Sequence, residues 1–136
     1  MGRIMAIDYG EKRCGVAVTD PLQLIATSLS TQNTEHLESF LIQYCKSESV
    51  DKIVFGMPKH KDGNDTHLSN VIRSFSIQIQ QKINHLSVDF INESFSSFEA
   101  KQKILESGVK KSKRRDKSLV DQITAVILLQ KYLNHI

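Results

Sequence analysis

The chain has 136 residues, about the length of one domain, and its 18 basic and 15 acidic residues give a formal net charge of +3. Its 40% hydrophobic and 24% charged residues are typical of a globular protein and exclude extended disorder. The length also excludes two-domain sugar kinases, polymerases and large barrels, so we expect one domain over residues 1–136.

Cysteine usage and hydropathy favour a cytoplasmic protein that does not enter a membrane. Cys14 and Cys45 lie far apart without a CxxC partner, which is typical of reduced thiols. Charged residues occupy the N-terminal segment, so it lacks the pattern of a secretory signal. The longest wholly apolar run, at residues 125–129, is much shorter than the roughly 20 residues of a membrane-spanning helix.

The first half of the chain predicts three strands, a helix and a fourth strand. Apolar runs at residues 3–8, 14–20 and 24–29 are separated by short turns, which is the pattern of a strand meander. Apolar side chains then recur at helical spacing between positions 37 and 44. A continuous apolar run at residues 52–55 predicts a strand buried inside a sheet.

The second half predicts strands that alternate with helices. A loop at residues 56–63 precedes a long amphipathic helix at 68–86 and a strand at 88–91. A capping box at residues 96–99 begins a further helix, and the final helix spans 119–133. The resulting order, β-β-β-α-β-α-β-α-α, indicates an α/β domain with parallel strand pairing in its second part.

Three acidic residues lie where an α/β fold binds its ligands. Asp8 ends the first predicted strand beside a glycine turn, Glu93 follows the strand at 88–91, and Asp121 lies at the start of the final helix. Since ligands of open α/β sheets bind at the carboxyl ends of the strands, we expect these side chains to meet there. Carboxylates that meet repel each other unless a cation holds them, and their hard oxygens favour Mg²⁺ or Mn²⁺. Two such ions can activate water for phosphodiester hydrolysis.

Each acidic residue also has a purely structural interpretation. Asp8 can accept hydrogen bonds from its own turn, and Glu93 can be a surface residue between a strand and a helix. Ser118 and Asp121 have the spacing of a capping box at the start of the final helix. The residues by themselves leave these alternatives open.

The positive charge is concentrated between residues 101 and 117, where there are eight basic residues and two acidic ones. That window carries +6 and leaves −3 for the rest of the chain, which suggests a phosphate-binding surface, although a solvated loop has the same composition. The residues that we predict to contact nucleic-acid phosphates are Lys12, Arg13, Lys59, Lys110, Lys111, Lys113, Arg114 and Arg115.

Three motifs, spread over nearly the whole chain, have the order and spacing of one known family. Residues 8–20 read DYGEKRCGVAVTD, residues 56–63 read GMPKHKDG, and residues 120–133 read VDQITAVILLQKYL. These segments resemble the motifs DxGxKRxGVAxSD, GxP…DG and VDxxAAxxxLQxYL of the YqgF family, the Holliday-junction-resolvase-like proteins regarded as pre-16S rRNA nucleases.

The resemblance implies a ribonuclease H-like three-layer fold, with a mixed five-stranded sheet and helices on both faces. It also implies a divalent-metal-dependent nuclease whose catalytic and metal-binding residues are Asp8, Glu93 and Asp121, with Mg²⁺ or Mn²⁺ as the cofactor. The expected substrate is RNA rather than branched DNA, in the processing of the 5′ end of pre-16S rRNA.

The chain departs from the family pattern at two places. The motif DER(L/F)(T/S)(T/S)xEA appears as NESFSSFEA at residues 92–100, so Asn92 replaces an acid and Ser94 replaces an arginine. Loss of that arginine removes a bidentate partner for phosphate or carboxylate. Thr124 replaces the first alanine of the closing motif, which we expect to change packing only.

Other functions stay open at this point. A Holliday-junction resolvase would use the same acidic residues on a homodimer, whereas the RNA nuclease is compatible with a monomer or a homodimer. A non-catalytic RNA-binding or ribosome-assembly factor is favoured by Asn92 and Ser94. A sugar-kinase-like ATPase shares the Asp-x-Gly turn but needs a second domain.

Overall fold

The computed structural model describes residues 2–58, 66–92, 102 and 117–135, in which helices pack on a five-stranded sheet. The strands are β1 (Arg3–Asp8), β2 (Arg13–Thr19), β3 (Ala26–Asn33), β4 (Val50–Met57) and β5 (Ser87–Asn92). The helices with described bounds are α1 (Leu37–Ser47), which follows a 3₁₀ turn at Thr34–His36, α2 (His67–Lys82) and α3 (Lys117–Tyr132).

The sheet is mixed, and its strands are ordered β3-β2-β1-β4-β5. β1 pairs antiparallel with β2, and β2 pairs antiparallel with β3, whereas β4 is parallel to both β1 and β5. β1 therefore occupies the centre, and the carboxyl ends of β1, β4 and β5 lie along one edge. The predicted mixed five-stranded sheet and the parallel pairing of the second part are confirmed.

The face of the sheet that is covered by α1 and α2 presents large apolar side chains. Met5 and Ile7 of β1 and Phe55 of β4 are fully buried there, together with Leu41 of α1 and Ile79 of α2. Burial of each such side chain contributes about 1.5–3 kcal/mol to the free energy of unfolding. This layer holds most of the buried apolar residues of the described chain.

The opposite face presents small side chains to α3. Ala6 and Ala17 lie opposite each other on β1 and β2, and with Val54 they pack against Ala125 and Leu128 of the helix. Small side chains allow the helix to approach the sheet closely. Helices thus cover both faces, as predicted for a three-layer fold.

Some predicted boundaries are wrong. The helix expected at 68–86 ends at Lys82, and Leu86 is buried in the connection to β5, so its apolar character reflects packing rather than helical periodicity. The third strand extends to Asn33, because the polar residues after Leu29 pair with β2 while their side chains stay partly exposed. The loop expected at 56–63 begins only after Met57, and its residues 59–63 lie outside the described part.

The final helix is confirmed and begins no later than Lys117. Thr124 is buried, and its hydroxyl donates to the carbonyl of Val120 at 2.8 Å, so the helix itself accommodates this replacement of an alanine. The capping box at 96–99 lies outside the described residues. Residue 102, which falls in the helix predicted after that capping box, is helical. In the described part of the chain, no helix is long and apolar enough to cross a membrane.

Candidate functional site

Asp8 lies at the carboxyl end of the central strand, on the face that α3 covers. Its register partner on β2 is Gly15, and the pair two residues earlier along β1, Ala6 and Ala17, packs on α3. Because side chains alternate between the two faces of a strand, Asp8 shares the α3 face with Ala6. The predicted carboxylate therefore lies at the edge of the sheet where parallel strands end.

A close approach between Gly15 and Asp121 brings α3 to the same corner. A Cβ atom on Gly15 would overlap the backbone carbonyl of Asp121 and would lie 3.0 Å from the Cβ of that residue. Only glycine leaves room for the helix backbone at this point. Since Gly15 is paired with Asp8, the two predicted ligands Asp8 and Asp121 belong to one corner of the sheet.

The carboxylate of Asp121 forms an ion pair with Arg13, whose Nε donates to Oδ2 at 2.6 Å. Arg13 lies two residues before Gly15 on β2 and therefore projects from the same face. The side chain of Asp121 is 21% exposed and that of Arg13 is 36% exposed, so a ligand can reach both. Arg13, which the sequence predicts as a phosphate contact, thus also orients a predicted metal ligand.

The alternative interpretation of Asp121 as part of a capping box is wrong. α3 already includes Lys117, so Ser118 lies inside the helix and is not its N-cap residue. Asp121 lies one turn into the helix, and its carboxylate points to β2, where it bonds Arg13. The position of this acid is explained by the contact between helix and sheet rather than by the helix end.

The turn after β1 is fixed by Thr34, a residue that the sequence analysis missed. Its hydroxyl donates to the carbonyl of Gly10 at 2.6 Å, and its backbone N–H donates to the carbonyl of Lys12 at 3.0 Å. Thr34 reaches this turn because the end of β3 pairs with the beginning of β2, where Asn33 lies opposite Arg13. No local motif signals such a contact, since it joins residues of separate elements.

An open cleft of about 370 Å³ lies between this turn and α3. Its lining residues are Gly10, Glu11, Lys12, Arg13 and Asp121. The fold therefore brings together three predicted site residues, Lys12, Arg13 and Asp121, beside the end of the strand that carries Asp8. The cleft combines cationic and anionic groups, as expected where a phosphate lies next to a metal ion.

Burial raises the pKa of the Cys14 thiol, which lies beside this corner of the sheet. Burial raises the pKa most, and the nearby carboxylates of Asp8 and Asp121 raise it further, whereas hydrogen bonds with Thr34 and Gly10 act in the opposite direction. The thiol is therefore protonated at neutral pH. Its side chain also belongs to the core beneath α1 and α2, so it offers no thiolate ligand to the α3 face.

The third predicted ligand, Glu93, lies outside the described residues. β5 ends one residue earlier, at Asn92, and Ile91 packs on the α3 face. The predicted phosphate contacts that also lie outside the described part are Lys59, Lys110, Lys111, Lys113, Arg114 and Arg115. Within the described ranges, no three His, Cys, Asp or Glu side chains are grouped so that they could hold a metal ion.

A mixed five-stranded sheet with helices on both faces is the arrangement of the ribonuclease H-like fold. The solved structure of T. thermophilus RuvC in complex with a Holliday junction substrate shares this fold, with a TM-score of 0.55 over 98% of this chain and 95% of the RuvC chain at 10% sequence identity. The chain belongs to the RuvX family, described as Holliday junction resolvase, whose family model matches residues 2–135.

Curated relatives match over almost their whole length. A protein of Porphyromonas gingivalis is 44% identical over 135 residues, which cover 99% of this chain and 98% of the relative. A protein of Phocaeicola vulgatus is 45% identical over 133 residues, which cover 98% and 96%. Both carry the name "Putative pre-16S rRNA nuclease". The resemblance to the YqgF family is thereby confirmed.

Proposed function

We propose that this chain is a divalent-metal-dependent nuclease that hydrolyses phosphodiester bonds in RNA, in the processing of the 5′ end of pre-16S rRNA. The observation that supports the proposal is that Asp8 pairs with Gly15 at the carboxyl edge of the sheet and that the backbone of Asp121 packs against the same glycine. Glu93, which follows β5 directly along the chain, is the third catalytic acid of the proposal. The names of the curated relatives support RNA over branched DNA as the substrate.

The donor set at this corner suits Mg²⁺ or Mn²⁺. Asp8 and Asp121 supply hard carboxylate oxygens, and the neighbouring Cys14 is protonated and belongs to the other face of the sheet. Asp8, Asp121 and Glu93 are the residues that would hold the ion. A bound ion would supply activation of the attacking water and stabilisation of the leaving oxygen.

Arg13 and Lys12 would bind the negatively charged phosphates of the substrate. The guanidinium of Arg13 has five N–H donors, so it can keep its bond to Asp121 and still donate to a phosphate oxygen in the cleft. Lys12 is exposed on the same cleft and offers a further positive charge. Contacts of this kind bind the backbone without reading the bases, so binding should weaken steeply with salt. We include Lys59 and the basic residues between 110 and 115 in the same surface.

Asp8→Asn tests the proposal, because it removes the charge of one ligand while its size stays almost the same. With a labelled RNA that spans the 5′ end of 16S rRNA and with Mn²⁺ present, we expect the cleavage rate to fall by about 100-fold or more. RNA binding in EDTA should be retained. Asp51→Asn is the matched control, since Asp51 is an exposed carboxylate at the beginning of β4, on the opposite edge of the sheet.

The outcomes separate the candidate functions. Equal cleavage by wild type and Asp8→Asn would refute the site. RNA binding without cleavage and without Mn²⁺ or Mg²⁺ binding by calorimetry would favour a non-catalytic RNA-binding factor. A four-way DNA junction belongs in the same assay because the family is described as Holliday junction resolvase. Paired cuts in that junction by a dimer, with the RNA left intact, would favour a resolvase.

A further inference from the structure

A second cleft, of about 440 Å³, lies on the other side of β1, between the end of that strand and α2. Its floor contains Tyr9 and Phe75, whose rings contact each other with centroids 5.4 Å apart. Phe75 is anchored from below by Phe55, with ring centroids 6.0 Å apart in an edge-on arrangement. The cleft therefore has a rigid aromatic floor and a volume within the roughly 300–1,000 Å³ of small-ligand sites.

The wall of this cleft is formed by one face of α2. His67, Asn70, Ser74 and Gln78 line it at intervals of three or four residues, so they form one stripe along the helix. Imidazole, amide and hydroxyl groups both donate and accept hydrogen bonds, and none of the four carries a permanent charge. The Nε2 of Gln78 already donates to the carboxylate of Glu38 at 3.0 Å, so Asn70 and Ser74 are the main groups that a ligand would bond. An apolar aromatic floor with a neutral hydrogen-bonding wall suits a planar, uncharged, polar-edged ligand, which describes a nucleobase and not a phosphate.

This base cleft, defined by Tyr9, Phe75 and the α2 stripe, lies across the end of β1 from the cleft that Lys12, Arg13 and Asp121 line, here called the phosphate cleft. Asp8 and Tyr9 are consecutive, and strand alternation sends the first side chain to the α3 face and the second to the α2 face. Gly10, the next residue, already lines the phosphate cleft. A nucleotide strand that crosses the end of β1 can therefore have a phosphate on one side and a neighbouring base on the other.

We propose that the base cleft receives one unstacked base of a single-stranded RNA segment, next to the phosphate that the enzyme cleaves. The inference rests on the proposed function and adds to it a class of substrate. A base in a continuous duplex is stacked and paired, and it cannot enter the cleft unless its stacking and pairing are broken. The protein therefore prefers unpaired RNA at its cleavage point.

The test combines protein variants with substrates that lack a single base. Affinity is measured in EDTA by fluorescence anisotropy, for intact RNA and for a series of RNAs that each carry one abasic nucleotide. Asn70→Ala combined with Ser74→Ala removes hydrogen-bonding groups from exposed positions of α2 without touching the core. Gln81→Ala is the matched control, because Gln81 is an exposed residue of α2 that does not line the cleft.

We expect one abasic position to weaken binding by wild type by roughly 5- to 20-fold, within the range for loss of one base contact on an aromatic surface. The double variant should bind intact RNA more weakly, and the same abasic position should then change its affinity by less than about twofold. The Gln81→Ala protein should behave as wild type. Tyr9→Leu, which removes the ring and keeps an apolar floor, should reproduce the loss for intact RNA.

Several results would overturn the inference. If no abasic position weakens binding, the base does not lie in this cleft. The same conclusion follows if the fold-changes in affinity caused by the double variant and by the abasic nucleotide multiply, because the two changes are then independent. Cleavage that depends on Asp8 together with no abasic effect would refute the base cleft and leave the nuclease intact. If the variants abolish the abasic effect on affinity but the protein cleaves no RNA, the proposed nuclease activity would be refuted and the base cleft would stand. Failure to bind any RNA would refute both.

Discussion

Gly15→Ala perturbs the corner of the molecule where α3 meets the sheet. The added Cβ would overlap the backbone carbonyl of Asp121 and would lie 3.0 Å from its Cβ, whereas carbon atoms in contact are about 3.5–4.0 Å apart. Backbone atoms cannot rotate out of the way as a flexible side chain can. The helix must therefore retreat from β2 by about 1 Å.

The expected effect has a structural part and a catalytic part. Overpacking of this kind costs about 1–3 kcal/mol, and we expect the upper end of that range because the retreat also loosens Ala125 and Leu128 against the sheet. Displacement of a catalytic group by about 1 Å can lower a rate by about 100-fold. If Asp121 acts as proposed, cleavage of RNA should fall by about that factor.

Two measurements and one control separate these parts. Urea unfolding followed by circular dichroism gives the free energy of unfolding, and RNA cleavage is measured at a temperature where the variant stays folded. Leu41→Ala creates a cavity under α1, on the other face of the sheet, and should cost about 2–5 kcal/mol while leaving Asp121 in place. It should therefore be less stable and still active.

Two results would contradict these expectations for Gly15→Ala. A Gly15→Ala protein whose unfolding free energy lies within about 0.5 kcal/mol of wild type would show that α3 is not pressed against β2. Loss of cleavage in Leu41→Ala as large as that in Gly15→Ala would show that the rate follows general stability and not the position of Asp121.

Three further predictions concern other contacts of the described residues. Tyr132 accepts a hydrogen bond from Lys52 at 2.7 Å and donates one to Asp89 at 2.8 Å, so Tyr132→Phe should lower the free energy of unfolding by about 0.5–1 kcal/mol for these partly exposed groups. Because the bond from Tyr132 lowers the pKa of Asp89, its contribution is present near neutral pH and is lost as the pH falls below about 4. The difference between the two proteins in urea titrations should narrow there to the part that comes from the bond with Lys52. Cys14 should be alkylated by iodoacetamide much more slowly in the folded than in the unfolded protein, because burial raises its pKa and blocks access. Asp8→Asn should lower the pKa of Cys14, and an unchanged pH profile of alkylation, followed by mass spectrometry, would contradict the closeness of the two groups.

Local sequence patterns predicted most of the elements because the forces that form them act over a few residues. The apolar runs of β1 and β4 and the helical spacing of α1 lie close to their observed bounds. The pattern failed at the end of α2, where Leu86 continues the helical spacing but is buried by the sheet connection. It also failed along β3, whose polar second half pairs with β2 without an apolar signal.

The residues of the candidate site also fall into those that local sequence patterns predict and those that only the packed structure reveals. Asp8 could be predicted because it ends a buried strand, and Asp121 because its motif and its place on the last helix are readable along the chain. The ion pair of Asp121 with Arg13 could not be predicted, because Arg13 lies 108 positions away and contacts Asp121 only when α3 packs on β2. Thr34 was missed for the same reason, because it reaches the Gly10 turn through the pairing of β3 with β2.

The sequence by itself determined the class of fold and the family, and it predicted the acids Asp8, Glu93 and Asp121 as site residues. Only the tertiary structure decided how these groups face one another, and where a second, uncharged cleft opens beside them. The physical reason is that both arrangements depend on side-chain size across separate elements. Ala6, Gly15 and Ala17 let α3 come close enough for Asp121 to reach Arg13, while Tyr9 and Phe75 keep α2 apart on the other face.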